Sequence, residues 1–316
     1  MIDLLRKSET GVALVLTLLI TAILVTLIIE TNYSTQVDLR IAGNFRNDLQ
    51  ALYLAKSGVN IAISYLKYDL QNTETDDLTE DWAKSYPPIP VGDGFVKVVI
   101  EDENAKINLN RVVKEDGKVD EKIRDILTRM FEAADVDVEI ISAIIDWIDP
   151  DDDPLPDGAE DSYYGSLDPP YACKDAPLDT LSELLMIKGI TDEAYEKISK
   201  YLTIYSKDGI ININTVDPEG RPEVLMFLDE GIDEPMAEVI IQFREETPFG
   251  GQNWQEALRD VINNDDVYNA ISPIIGVTSN AFSVTSTGQV ERVEKMIRTI
   301  IDREGGQISY RYWRVE

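Results

Sequence analysis

The segment from Asp146 to Asp161 holds the densest group of potential metal ligands in the sequence. Half of its residues are acidic and none is basic. Carboxylates this close repel one another, and a hard cation that bridges them relieves the repulsion. Ca²⁺ accepts about six to eight oxygen ligands in flexible geometry, whereas Mg²⁺ retains its waters and requires a strict octahedron. The segment therefore predicts a calcium loop, with a solvated acidic loop as the alternative.

The carboxylate spacing partly matches an EF-hand loop. If Asp149 is position 1, acidic residues fall at positions 3, 5, 9 and 12, which are ligand positions of that motif. Position 6 is Pro154, where the EF-hand needs a residue with positive φ, and proline cannot adopt it. We therefore expect a calcium loop of another shape.

Composition excludes most catalytic chemistry. The 316 residues include no histidine and a single cysteine, Cys173. Ser-His-Asp and Cys-His catalysis and H-E-x-x-H metal sites are thereby excluded, and so is an intrachain disulfide. The carboxylates are accompanied by no nucleophile and no phosphate-binding glycine pattern, so we expect no enzyme activity.

The chain is strongly acidic. Lys and Arg total 29 against 59 Asp and Glu, which gives a net charge of −30. Such a charge repels nucleic acids and anionic lipid surfaces and favours cationic partners, divalent metals above all.

An apolar run from Val12 to Ile29 predicts a membrane-spanning helix. At about 1.5 Å per residue it reaches roughly 27 Å, close to the thickness of the hydrocarbon core. A cleaved signal peptide is the alternative, but no A-x-A-like site follows the run. Because Arg6 and Lys7 precede it, we expect a cytoplasmic amino terminus and an external soluble part.

Helical spacing of apolar residues continues beyond the run, with no proline before Pro87. We therefore predict one long helix over 12–70, apolar all round at first and then amphipathic. Gly43 and Gly58 are expected to be tolerated weak points in it.

The remaining pattern predicts an α+β fold. Gly94–Ile100 alternates and is β-branched, and three further strand candidates lie near the end, at 281–287, 290–302 and 307–315. Between them lies a long region of mostly helical pattern. We therefore expect a sheet built from 71–104 and 277–316, interrupted by an inserted helical domain at 105–276 that carries the acidic loop 146–164.

The predicted insertion contains an internal echo. The run Ile107–Asn110 is repeated as Ile211–Asn214, each before a helix, an acidic turn and a second helix. This suggests two related modules, with coincidence among amphipathic helices as the alternative. The stretch 212–249 resembles the helix-hairpin-helix modules of DNA-binding proteins, which hold phosphate on hairpin amides. Because 228–234 carries four carboxylates, we expect no nucleic-acid binding.

Gly11, followed by the apolar stem, resembles the type IV pilin and pseudopilin families, in which a prepilin peptidase cuts after the glycine. The cut would fall between Gly11 and Val12. Most members carry glutamate at the fifth mature position, which here is Leu16. A buried stem carboxylate is costly unless paired, and the family is thought to pair it with the amino terminus of the subunit above. Leu16 therefore points to a tip subunit, with a plain unprocessed anchor as the alternative.

Taken together, the motifs resemble the minor pseudopilin K family of type II secretion. The resemblance spans nearly the whole chain and is carried by the stem without its glutamate and by a set of short motifs. These motifs are Lys106–Asn110, Asp146–Asp149, Gly158–Tyr164, Pro170-Tyr171, Leu181–Leu184 and Ile213–Thr215.

This resemblance implies a pilin-like sheet with a long N-terminal helix and an inserted all-α domain of helix-hairpin-helix or SAM-like modules. It also implies one or two Ca²⁺ ions at the acidic loop, methylation, and assembly at the pseudopilus tip with minor pseudopilins I and J and the major pseudopilin. The location implied is the bacterial inner membrane, with a periplasmic soluble part. Residues carried over as candidate metal ligands are Asp149, Asp151, Asp153, Glu160 and Asp161.

Two other functions stay open on the sequence. The chain is compatible with a minor pilin of a type IV pilus or competence system, and with a membrane-anchored calcium-binding module that has no filament role.

Overall fold

The computed structural model describes residues 2–217, 222–304 and 307–316, with side chains described from Gly11 onward except for Glu304. A long helix, a five-stranded antiparallel sheet and a large helical insertion make up the described chain. The helices are α1 (Ile2–Asn72), α2 (Glu121–Ala133), α3 (Ile140–Ile148), α4 (Asp161–Tyr164), α5 (Asp192–Ile198), α6 (Glu223–Leu228), α7 (Glu234–Glu246), α8 (Trp254–Ile262) and α9 (Asp265–Ile271). The strands are β1 (Ile89–Val91), β2 (Gly94–Asp102), β3 (Ile107–Asn108), β4 (Leu202–Thr203), β5 (Ile211–Asn212), β6 (Ile275–Gly276), β7 (Ala281–Val290), β8 (Val293–Glu304) and β9 (Gln307–Val315).

The long helix α1 has two halves with different surroundings. From Gly11 to Ile29 every side chain is exposed, and this helix alone among the described ones is long and apolar enough to cross a membrane. In the second half, a row of mostly small residues is buried against the sheet. The row consists of Ala51, Ala55, Val59, Ala62 and Leu66. The predicted single helix, apolar first and amphipathic later, is confirmed.

The sheet has the strand order β1-β2-β7-β8-β9, with every neighbouring pair antiparallel. Its inner face buries Val96, Val284 and Ile297 under α1, while Phe95 and Val99 on the other face stay exposed. This alternation is the period of two that predicted the strands. The α+β class with a long helix and an antiparallel sheet is confirmed.

One strand of the five-stranded sheet was not predicted. No strand was expected before Gly94, yet β1, which contains Pro90, pairs with β2 through a turn at Gly92. Proline is tolerated there because β1 is the outermost strand and needs no hydrogen bond on its open side. Residues 305–306, between β8 and β9, lie outside the described residues.

Gly58 lies at the closest approach between α1 and the sheet. A Cβ atom placed on it would overlap the Ser286 hydroxyl and lie 2.8 Å from Val96 Cγ1. The same hydroxyl donates to the carbonyl of Ala55 at 2.7 Å, so a side chain of the sheet binds the helix backbone directly. Gly58 is therefore a packing requirement rather than a tolerated weak point, whereas Gly43 has nothing within 4 Å of its Cβ position.

We predict that Gly58→Ala lowers the free energy of unfolding by roughly 1–3 kcal/mol, because the extra methyl group must push α1 off the sheet. Gly43→Ala is the matched control and should raise it by about 0.5–1 kcal/mol through helix propensity alone. Denaturant unfolding of the full chain in a neutral detergent measures both. Equal effects of the two substitutions would contradict the close packing.

The insertion leaves and re-enters the sheet at a buried polar junction. The last residue of β2, Asp102, faces Phe282 of β7 in the register. One oxygen of its carboxylate accepts the Asn104 backbone N–H at 2.7 Å. The other accepts the hydroxyl protons of Ser279, at 2.5 Å, and Thr215. Asp102 thus joins the end of β2, the return to β7 and the middle of the insertion.

The echoed sequence runs fold in the same way. In the first run, Asn108 Oδ1 accepts the backbone N–H of Asn110 at 3.0 Å. In the second run, Asn212 Oδ1 accepts that of Asn214 at the same distance of 3.0 Å. The second asparagine then pairs its amide with both backbone groups of a distant residue, Leu178 for Asn110 and Phe249 for Asn214. Both runs begin with a two-residue strand that is parallel to a strand at the end of its module. The interpretation as two related modules is therefore supported by equivalent hydrogen bonds.

A cluster of acids surrounds Arg303 where α1 ends. Its guanidinium binds Asp69 at 2.6 Å and also binds Asp76. Oxygen atoms of Asp69, Asp76 and Glu80 lie within 4.8 Å of one another, so three carboxyl groups surround one arginine. Burial raises the pKa of Glu80 from 4.5 to about 8, and the adjacent Asp69 adds to the rise. Burial likewise raises the pKa of Asp76 to about 7 in spite of Arg303.

These raised pKa values predict a loss of stability at alkaline pH. Below pH 4.5 Glu80 is protonated in both the folded and the unfolded chain, and its contribution to stability is fully present. As the pH rises to about 8, the unfolded chain releases the proton first, so this contribution is lost. Glu80→Gln mimics the protonated acid, and we expect it to match the unsubstituted chain near pH 5 and to melt higher above pH 8.

Melting curves over this pH range check the prediction. Glu74→Gln serves as control, because Glu74 is exposed. A melting temperature of Glu80→Gln that falls in parallel with the unsubstituted chain up to pH 9 would refute the assignment.

Candidate metal centre

Asp146 shapes the acidic loop from inside the core. It lies near the end of α3 and is fully buried. Its carboxylate accepts the backbone N–H of Ala159 at 2.7 Å and that of Leu155 at 3.2 Å. A Cβ atom on Gly158 would overlap the same carboxylate, so only glycine fits there. Asp146 thus folds the loop back onto α3 and is itself saturated by the backbone.

The folded loop brings three other acids together. Carboxylate oxygens of Asp149, Asp151 and Glu160 lie within 4.8 Å of one another. Asp149 and Glu160 are buried, whereas Asp151 is exposed at the rim. The backbone N–H of Asp153 binds Asp151 at 2.9 Å and holds the rim in place.

A second chain segment completes the group from the opposite side. Glu160, Cys173 and Asp175 also lie within 4.8 Å of one another. Asp161 fixes this segment by accepting the Cys173 backbone N–H at 2.7 Å. The rings of Trp147, Tyr164 and Tyr171 pack beneath it, with centroids 5.1–6.2 Å apart.

Several buried oxygens in this group have no hydrogen-bond partner among residues 2–217, 222–304 and 307–316. They are Asp149 Oδ1, both carboxylate oxygens of Glu160, and Asp175 Oδ1. An unpaired buried carboxylate is costly, and protein sites avoid it by pairing or by coordinating a metal. Inward-facing oxygens contributed by two segments match the donor set of a hard cation such as Ca²⁺.

The pKa values agree with this interpretation. Burial raises the pKa of Asp149 to about 7, and Asp151 and Asp146 add to the rise by repulsion. Burial also raises the pKa of Glu160 to about 7. Burial and the nearby Glu160 raise the pKa of the Cys173 thiol, which donates to the Asp146 carbonyl at 3.5 Å. The carboxylate oxygens, rather than the thiol, are therefore the candidate donors for a cation.

The structure sorts the sequence candidates. Asp149, Asp151 and Glu160 come together as candidate ligands. Asp153 and Asp161 lie outside the grouped side chains, and their observed contacts are structural. Asp175 was missed because it lies far along the chain, and no local spacing links it to the loop.

The helix-hairpin-helix formed by α6 and α7 has its hairpin amides occupied by its own acids. Asp229 accepts the Gly231 N–H at 2.9 Å, and Asp233 accepts the Met236 N–H at 3.0 Å. These carboxylates stand where a bound phosphate would need free donors. The contacts give a geometric reason for the expectation that the module does not bind nucleic acid.

The stem candidates lie on the exposed half of α1. Gly11, Val12 and Leu16 have no contact with the sheet, and Leu16 is 57% exposed. Of the expected leader 1–11, Met1 and the side chains up to Thr10 lie outside the described residues.

Comparison with known proteins shows similarity to one family. A family model described as type II secretion system (T2SS), protein K, matches residues 105–207, which include the whole acidic loop. The type II secretion system protein K of Klebsiella pneumoniae is 25% identical, with 97% of each chain covered. That of Aeromonas hydrophila is 28% identical over 72% of this chain and 74% of its own. Over nearly its whole length the chain is similar to the type II secretion system protein K family. This similarity supports a role as a minor pseudopilin of type II secretion.

The protein K fold extends to solved structures. A chain in the crystal structure of the GspK-GspI-GspJ complex from the enterotoxigenic Escherichia coli type 2 secretion system matches with a TM-score of 0.68. The match covers 88% of this chain and 99% of that one, at 21% identity. It supports a protein K fold with the insertion in place. The family is a structural part of secretion and not a known class of enzyme.

We predict that Ca²⁺ raises the melting temperature and that a chelator reverses the rise. At a hundredfold excess of free ion over Kd the gain is about 2.7 kcal/mol. Asp149→Asn should abolish the gain and leave the metal-free protein at least as stable, because it removes a repulsive buried charge. Asp175→Asn should weaken it. These effects are measured as the melting temperature along a calcium titration. Terbium luminescence excited through Trp147 is a second readout.

Asp152→Asn is the matched control, because Asp152 is an exposed acid of the same loop. It should keep the full gain. A calcium effect that Asp149→Asn and Asp152→Asn change equally would mean that the ion only screens the loop, and the site would be refuted.

Proposed function

We propose that this protein occupies the tip of the type II secretion pseudopilus, where it begins assembly with minor pseudopilins I and J and supports export across the outer membrane. The observation that carries the proposal is the combination of a bare apolar stem with an insertion whose core is far larger than that of the sheet. The stem joins a filament, whereas the insertion prevents stacking at a repeating position along it.

Leu16 supports an end position. In a stack of stems, a carboxylate at the fifth mature position would pair with the amino terminus of the subunit above. Without such a partner it would be an unpaired charge in an apolar environment, which is strongly unfavourable. A leucine removes that cost, and it suits a subunit that has no neighbour above it.

The proposed location is the bacterial inner membrane, with one crossing by α1. Arg6 and Lys7 precede the apolar run, which favours a cytoplasmic amino terminus and a periplasmic soluble part. Processing after Gly11 by prepilin peptidase and methylation would follow from membership of the pilin-like superfamily. The major pseudopilin would add below.

Pseudopilins I and J are the proposed direct partners because a solved chain of the same fold forms a complex with them. The α1 stem offers the contact surface, since all its side chains from Gly11 to Ile29 are exposed. Packing against other apolar stems would keep this surface out of water as filament subunits leave the membrane.

Calcium would act as a structural ion in this function. Asp149, Asp151, Glu160 and Asp175 would hold it, and the ion would supply the positive charge that these buried oxygens lack. One consequence is a rigid connection between the loop after α3 and the Cys173 segment. The insertion would then present a single preorganised surface at the tip.

A labelling experiment tests the position. A gold-labelled tag at the carboxyl end should mark one end of each pseudopilus that is overproduced in the membrane. The label should be lost when pseudopilins I and J are deleted together. Label repeated along the shaft would overturn the tip assignment.

Gly11→Ala tests processing separately. It should leave the membrane form heavier by the mass of residues 1–11 and stop incorporation into filaments, as measured by mass spectrometry and filament pull-down. Gly43→Ala, which changes glycine to alanine elsewhere in α1, is the control and should be processed normally. An unchanged mass for Gly11→Ala would mean that this anchor is never cut.

A further inference from the structure

A cleft of about 440 Å³ lies where the insertion meets the sheet edge. Its walls come from the turn after β3, the segments after α3, α4 and β4, and strand β9. Asp175 contributes to one wall, so the cleft borders the candidate metal centre without including its other acids. Its volume suits a few side chains of a peptide or a small molecule.

The cleft concentrates positive charge on an acidic protein. Arg111, Lys114, Lys207 and Arg311 line it, against two carboxylates. The whole chain has a net charge of −30, which repels anions from most of the surface. Lys114 and Arg311 pair with Asp120 and Asp302, which lie outside the lining. Within the lining, cations still outnumber carboxylates, and this local excess favours an anionic group.

Arg111 is the informative member of this set. It is half-buried, yet within the described part of the chain its guanidinium has no ion pair and no hydrogen bond. Arg311, in contrast, binds Asp302 at 3.0 Å and the Tyr205 carbonyl at 2.7 Å. A guanidinium cannot lose its charge at physiological pH, so a half-buried unpaired one needs an anion.

The backbone holds Arg111 in place without satisfying its charge. Gly209 has a φ of +70°, and a Cβ atom on it would lie 2.8 Å from Arg111 Cγ. The loop therefore packs closely on the aliphatic part of the side chain. The aliphatic part of Arg111 is fixed, and the donors of its guanidinium are left unused. This arrangement is expected of a preorganised anion site.

The walls decide the kind of anion. Glu115 and Asp175 also line the cleft, and their charges disfavour a doubly charged phosphate more than a singly charged group. Val113, Ile148 and Ile204 add apolar surface beside the cations. We propose that this cleft binds a peptide carboxylate next to an apolar side chain, with the carboxylate paired to the Arg111 guanidinium in a bidentate manner.

The carboxylate has two possible sources, a chain terminus and an acidic side chain. Three acetylated tripeptides separate them by titration calorimetry on the full chain in a neutral detergent. These are Ala-Val-Leu with a free terminal carboxylate, the same peptide as its amide, and Ala-Glu-Leu as its amide. We expect the free acid to bind at least tenfold more tightly than the first amide. The glutamate peptide matches the acid if side chains serve equally, and matches the first amide if a terminus is required.

Arg111→Gln should weaken binding of the free-acid peptide at least tenfold. Arg111→Lys should recover part of the loss, because it restores the charge but not the planar pair of donors. Lys118→Gln is the control. Lys118 is exposed, pairs with Asp116 at 3.0 Å and lies outside the cleft wall, so binding should not change.

Two results would overturn the site. One is equal binding, or no binding, of the acid and its amide to the unsubstituted chain. The other is full affinity in folded Arg111→Gln. If that variant fails to fold, Lys114→Gln replaces it, because the Lys114 side chain is 52% exposed. This substitution should weaken binding of the free-acid peptide about threefold and leave binding of the amide unchanged. An unchanged affinity for the acid would count against the site.

Discussion

The buried carboxylate of Asp102 is the interaction on which the rest of the architecture depends. It lies at the last position of β2, with a core of the sheet on one side and the much larger core of the insertion on the other. Because it accepts donors from Asn104, Thr215 and Ser279 together, neither core can shift without leaving a buried charge unpaired. Such a loss is among the most destabilising single changes in a protein interior.

Unbalanced charge recurs as a structural theme. Around Arg303 the carboxyl groups outnumber the cation, and the raised pKa values of Asp76 and Glu80 express that imbalance. At the acidic loop no ion pair among the described residues reaches Asp149, Asp151 or Glu160, and buried oxygens of Asp149 and Glu160 are unpaired. The first cluster is relieved by protons, and for the second we propose a metal ion. Arg111 is the converse case, a cation with no acidic partner in the described part of the chain.

Much of the architecture could be predicted from the sequence, because periodicity is a local property. The apolar run and its helical continuation gave α1, and alternation gave β2 and the last three strands. The echo of Ile107–Asn110 in Ile211–Asn214 indicated two modules before their matching hydrogen bonds were seen. What failed depends on distant contacts. Gly58 was interpreted as a weak point because the sequence does not reveal Ser286 above it, and Asp175 was missed because the fold alone brings it to Glu160.

The register between β2 and β7 has a consequence for how this chain arose. Asp102 and Phe282 stand side by side on adjacent strands, so the sheet itself needs only a tight turn between them. The whole of 103–280 occupies the place of that turn. A domain grafted at a hairpin tip can be enlarged, exchanged or lost over evolutionary time while the strand order beneath it stays the same. An ancestral filament subunit could thus gain a new head by a single insertion event and keep its old means of attachment.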